Sequence, residues 1–141
     1  MAASTSTKRL SLAEQVSLPS NPSYQAYRLL QFAFTVLPLV VGVDKFFHFL
    51  VDWESYLSPI VPKILHITPR AFMRAAGLME IFVAIGVAWK PRVFAYLICG
   101  WLLSVATNLL LTGGAHLDVA ARDFGLFLAA MALARLSRQF G

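Results

Sequence analysis

AFMRAAGLMEIFVAIGVAWKPRVFAYLICGWLLSVATNLLL, residues 71–111, decides the fold class of this chain. Two apolar runs, Ala71 to Trp89 and Val93 to Leu111, are parted only by Lys90-Pro91-Arg92. Each run has the length of one bilayer crossing, about 20 predominantly apolar residues. The basic tripeptide reads as a tight turn, because Pro91 lacks an N–H and its fixed φ suits the first turn of the next helix. A pair of antiparallel membrane helices is the expectation.

Working outward, a third apolar run covers Leu29 to Val51 and a fourth covers Val119 to Leu136. Gly113-Gly114 closes the run before the last one, and Asp118 is a candidate N-cap for the helix that follows. The chain is thus expected to be all-α, an integral membrane four-helix bundle over residues 27–141, with spans near 29–51, 71–89, 93–111 and 119–136. Composition agrees: of 141 residues, 58% are hydrophobic and 13% charged, and the mean hydropathy is +0.67. Those values exclude a disordered chain or a soluble nucleic-acid-binding domain and make the lipid bilayer the first partner.

Residues 1–26 read as a polar cytoplasmic tail rich in Ser, Ala and Thr. Lys8-Arg9 is not followed by an apolar stretch of signal-peptide type, so no such peptide is expected. The excess of 12 Lys+Arg over 7 Asp+Glu is read as topology. Lys8, Arg9, Arg28, Lys90, Arg92, Arg135 and Arg138 fall on one side of the expected bundle, against Lys63 and Arg70 on the other. The positive-inside rule then puts both termini in the cytoplasm of a bacterial or archaeal cell, with the protein multi-pass in its inner membrane. Between spans one and two, Asp52 to Pro69 carries Trp53, Tyr56, Ile60, Ile64 and Ile67 among prolines. It is expected to lie along the outer membrane surface as an amphipathic loop, its aromatic rings at headgroup depth.

Ionisable groups inside the spans are the candidates for function, because each costs a few kcal/mol in hydrocarbon unless it is paired or faces a cavity. Span one holds Asp44, Lys45 and His48, span two holds Arg74 and Glu80, and the fourth run opens on Asp118, Arg122 and Asp123. At 1.5 Å per residue Glu80 lies roughly 15 Å into its span, near the midplane, and Lys45 a little outside it. Lys45, Glu80, Arg122 and Asp123 form the expected polar cluster, with Asp44, His48, Arg74 and Asp118 secondary. The i,i+4 pairs Asp44/His48 and Asp118/Arg122 each share a helix face. Two readings follow: ion pairs that fix helix register, or a pocket open to the outer face that takes a quinone-like or lipid head group or relays protons. Small residues at Ala76 and Ala84, and at Gly125 and Ala129, favour close helix contact, while Ser104 and Asn108 offer interhelical hydrogen bonds.

Other chemistries lack their residues. Cys99 is the single cysteine, so neither an intrachain disulfide nor a C-x-x-C site exists. His48 is the only histidine well inside a span, which argues against bis-histidine haem and against a metal centre. No nucleotide, metalloprotease or serine-hydrolase motif occurs, so the chain is not expected to be catalytic alone, and no intrinsic cofactor is expected.

Three short motifs carry a resemblance. Val43-Asp44-Lys45-Phe46-Phe47, Gly77-Leu78-Met79-Glu80-Ile81 and Ala121-Arg122-Asp123-Phe124-Gly125-Leu126 together resemble the DoxX-like family of small four-helix membrane proteins, relatives of DoxX and DoxD. The resemblance covers about Arg28 to Ser137 and matches the family at Lys45, Glu80, Arg122 and Asp123. It implies an accessory or anchoring subunit of a larger redox-linked membrane complex concerned with electron transport, in association with other subunits or as a homo-oligomer. The alternatives are a quinone-binding subunit of a quinone-linked oxidoreductase, using the buried Lys/Glu/Arg/Asp cluster, and a small-molecule transporter.

Overall fold

A computed structural model describes residues 19–141, and residues 1–18, most of the expected tail, lie outside it. The described chain is all-α: α1 Pro22–Phe47, a 3-10 turn Trp53–Tyr56, α2 Ile60–Leu65, α3 Pro69–Trp89, α4 Pro91–Leu110 and α5 Leu117–Phe140. Three helices, α1, α3 and α4, are long and apolar enough to cross a membrane, the profile of a membrane protein. Helix α5 is also long, at 24 residues, but more polar: Asp118, Arg122, Asp123, Arg135 and Arg138 all lie on it.

Local sequence explains the ends. Asn21 accepts a hydrogen bond from the Ser23 amide at 2.9 Å, with Pro22 at the first helical position, the usual pairing of N-cap and N-terminal proline. Helix α1 therefore starts ahead of the apolar run at Leu29, taking in the last part of the stretch assigned to the tail. It also stops before the run does, at His48, which adopts a left-handed conformation (φ 58°) and returns its amide to the Asp44 carbonyl at 2.7 Å. Thr68 caps α3 through the Ala71 amide, with Pro69 following. Lys90 alone separates α3 from α4, as the Lys90-Pro91-Arg92 turn foretold. Gly113 and Gly114 supply the positive φ values, 75° and 88°, that reverse the chain before α5.

The four long helices form a ring in which α1 packs on α3 and α5, while α4 packs on α3 and α5. All neighbours run antiparallel. Gln31 of α1 reaches the Val87 and Ala88 carbonyls of α3, Tyr24 of α1 meets Phe140 of α5 with ring centroids 5.5 Å apart, and Arg92 of α4 donates to the Ser137 carbonyl of α5. The start of α1 and the end of α5 thus share one end of the bundle, called here the Pro22 end. The apolar core sits toward that end, around Tyr27, Phe34, Val87, Ile98, Leu133 and Ala134. On α1 and α3 the closest approach is at Gly42 and Gly77: a Cβ on either would come within 2.8 Å or 2.7 Å of the other's carbonyl oxygen. Only glycine permits that spacing. Gly125 faces open space, so of the Gly125/Ala129 pair only Ala129 packs, partly buried, against the core, and the buried face of α5 runs through Ala120, Asp123 and Ala130.

Candidate functional site

Across the Gly42/Gly77 contact, with Lys45 one turn from it toward the Phe47 end and Glu80 one turn toward the Pro22 end, the ring encloses charge. Lys45 Nζ lies 2.7 Å from Glu80 Oε2, and the two residues retain 5% and 8% of their surface. The second carboxylate oxygen, Oε1, accepts from Trp101 Nε1 on α4 at 3.1 Å. Trp53, from the loop after α1, covers the ammonium with its ring face at 4.0 Å and donates its indole N–H to Asp44 Oδ2 at 2.7 Å. A continuous line of contacts therefore runs Asp44, Trp53, Lys45, Glu80, Trp101, drawing on α1, the loop, α3 and α4. Each link is a charge-assisted hydrogen bond or a cation over an aromatic face, the two interactions that hold an ammonium away from water at least cost.

Asp123 of α5 is buried beside this line, within electrostatic reach of both Lys45 and Glu80. Arg122 is not inside with it. Its side chain is 66% exposed and reaches Asp123 only from the outside, Nε to Oδ1 at 3.5 Å. Asp123 lies on the packed face of α5, and Arg122, about 100° round the helix from it, lies outside that face. The expected four-residue cluster is thus three residues inside the bundle with a guanidinium at its rim.

The secondary residues behave differently from their spacing. Asp44 does not pair with His48. Its carboxylate takes the Phe49 and Leu50 amides, at 2.9 Å and 3.2 Å, as well as Trp53, because the chain leaves the helix at His48 and folds back over it. His48 turns to Glu54, 3.8 Å away, and Glu54 also takes Arg70 Nε at 3.4 Å. Asp118 and Arg122 are both exposed and form no ion pair with each other. Arg74 is exposed on α3.

The loop is fixed over the Phe47 end by a residue expected only to join helices. Asn108 of α4 accepts from the Ser58 amide at 2.9 Å and donates to the Tyr56 carbonyl at 2.8 Å, while Ser104 bonds back to its own helix at Gly100. Leu57 and Ser58 are buried beneath it, whereas Ile60, Ile64, Leu65 and Ile67 remain exposed. Trp53, Trp101 and Asn108 are the residues that sequence reasoning missed in these roles. The only advance sign was their N–H or amide groups in a predominantly apolar setting, where such groups need partners.

Among the described residues no group of His, Cys, Asp or Glu is arranged to hold a metal ion. The polar line itself is closed: Trp53 lies on it, and the carboxylate oxygens of Asp44 and Glu80 are all engaged. Of the two arrangements the sequence allows, Lys45 and Glu80 adopt the direct ion pair between helices. The chain matches no family model, no curated protein and no solved structure.

Proposed function

We propose that this protein is an integral membrane four-helix bundle, both ends of the bundle's chain facing the cytoplasm, that serves as an accessory or anchoring subunit of a larger redox-linked membrane complex. The observation that carries the reading is the sealed Lys45–Glu80 pair. Its valences are spent on Trp53, Trp101 and each other, so the charge inside the bundle holds helices together rather than presenting itself to a substrate. That is the work of a scaffold. The gathering of Arg28, Lys90, Arg92, Arg135 and Arg138 toward the Pro22 end supports the orientation. The redox link rests on the DoxX-like motifs around Lys45, Glu80 and Asp123. Gentle extraction from native membranes followed by mass-spectrometric inventory tests it: stoichiometric larger subunits with flavin, haem or another redox centre are expected, and recovery of a bare monomer or homodimer would overturn the role.

A quinone-binding subunit is the second reading, and one observation favours it. Inside the ring Lys45 faces two carboxylates, Glu80 and Asp123, while Arg122 stays outside. With Asp44 the interior thus holds three acids against one buried cation, two more than it balances, a composition that suits a group carrying a proton. A Glu80→Gln variant that assembles normally is expected on this reading to lose quinol-linked turnover, and full turnover would dismiss it.

A further inference from the structure

Helix α3 turns a single stripe outward. Arg70, Arg74, Leu78, Phe82, Ile85 and Trp89 follow one another at intervals of three and four residues, which keeps them on one side of a helix. All six are exposed, Leu78, Phe82 and Ile85 each by about 60%. From Arg70 to Trp89 the stripe runs roughly 28 Å at 1.5 Å per residue, close to the roughly 30 Å hydrocarbon core. Its composition is ordered along that length: two guanidinium groups one turn apart, then hydrocarbon and aromatic side chains, then an indole at the far end.

The two arginines lack enough acid. Glu54 takes only Nε of Arg70, whose side chain is 72% exposed, and Arg74 has no carboxylate within 4.0 Å among the described residues. On a helix that crosses the bilayer, Arg74 lies about one turn below the start of the span, where a cation facing lipid needs an anion at hand or must reach up to one. Guanidinium groups bind phosphate through paired N–H donors, and two of them about 6 Å apart along one face can grip one phosphodiester. Below that point Leu78, Phe82 and Ile85 offer a track for an acyl chain.

We infer that the outward stripe of α3 is a binding site for one anionic phospholipid, its phosphate held by Arg70 and Arg74 and one acyl chain laid along Leu78, Phe82 and Ile85. The inference rests on α3 crossing the bilayer and is independent of the accessory-subunit role. Glu54 has a part in it: by holding Nε it orients the Arg70 guanidinium and leaves the terminal nitrogens for the ligand.

The test uses the full chain in detergent equilibrated with equal amounts of phosphatidylglycerol and phosphatidylcholine of identical acyl chains, with retained lipid counted by native mass spectrometry. One phosphatidylglycerol is expected to stay bound with a preference on the order of 30-fold, the effect of two basic side chains near an anionic headgroup. Arg70→Gln/Arg74→Gln is expected to bring the two lipids to equal retention. Arg74→Gln alone, which removes no ion pair within the protein, guards against a folding artefact and is expected to lose a substantial part of the preference. Arg138→Gln, at the Pro22 end, is expected to change nothing. Equal retention by the unmodified protein, or a preference that survives the double substitution, overturns the inference. Alkaline extraction of the same membranes separates the premises: release of the chain overturns the bilayer crossing as well, whereas retention with no lipid preference overturns the lipid site alone.

Discussion

At the Pro22 end the helices meet through Val87, Ala95, Ala130, Leu133 and Ala134, all essentially without exposed surface, whereas toward the Phe47 end the same helices bury Asp44, Lys45, Glu80 and Asp123. Apolar contacts of the first kind tolerate sliding and rotation, since many arrangements bury similar surface. In hydrocarbon they are also nearly matched by contacts with lipid. The second kind has one solution. Lys45 reaches Glu80 at 2.7 Å only when α1 and α3 are in this register, a register that Gly42 and Gly77 also require. The apolar half therefore supplies packing, and the polar half selects which packing is adopted.

The sharpest way to break that contrast is to strand one charge. Glu80→Ala leaves the Lys45 ammonium buried without its hydrogen-bonded carboxylate, with the Trp53 face and the more distant Asp123 remaining, and a loss of about 3 to 5 kcal/mol is expected, read by reversible unfolding in mixed micelles. Removing both charges together, Lys45→Met with Glu80→Leu, is expected to recover most of that loss, because neither ion then remains to be desolvated. If the ion pair selects register, the double variant regains stability yet shows a broadened cross-linking pattern between α1 and α3. A double variant as unstable as Glu80→Ala would place the stabilisation in packing at these positions instead of in the pair.

Much of this was legible beforehand. The helix positions follow from apolar runs and their punctuation, and the meeting of Lys45 with Glu80 follows from depth and the scarcity of charge in such runs. The start of α1 was not legible from hydropathy, because Tyr24 to Arg28 is mixed in character; the Asn21-Pro22 cap carried that information instead. Arg122 lies outside the cluster for a reason its spacing does not reveal: Asp123 falls on the packed face of α5 and Arg122, one 100° step away, falls at that face's exposed edge. Trp53 and Asn108 were beyond reach, since their roles depend on how an irregular loop folds back across the bundle, and no periodicity records that path.

That loop gives a second, smaller test. Asn108 is the side chain that bridges α4 to the buried Leu57-Ser58 corner, so Asn108→Ala leaves the Ser58 amide and the Tyr56 carbonyl without partners. A cost of about 1 to 3 kcal/mol is expected, confined to the loop and seen as faster hydrogen exchange at Ser58 than in the middle of α4. Because Trp53 belongs to the same loop, its fluorescence is expected to shift toward that of a wetter indole. Loss of protection spread evenly over all four helices would show instead that the loop is part of the cooperative core.

The smallest effect is expected at the opposite end, from Arg92→Gln. Arg92 donates to the carbonyls of Ser137, Arg138 and Gly141, at 3.3, 3.3 and 3.0 Å, placing a cation on the last turn of α5. Carbonyls at a helix C-terminus lack intrahelical donors and carry the negative end of the helix dipole, so the contact is favourable by about 0.3 to 1 kcal/mol at an exposed site. Glutamine keeps some of the hydrogen bonding and loses the charge. The expected signature is therefore fraying of the last turn of α5 by hydrogen exchange, weakened further for the unmodified protein as salt is raised, with the Lys45–Glu80 end undisturbed. The Pro22 end can lose such a contact cheaply because Tyr24, Tyr27 and Phe140 remain packed there, and a substitution that weakened both ends equally would mean that the two halves do not divide the work as argued.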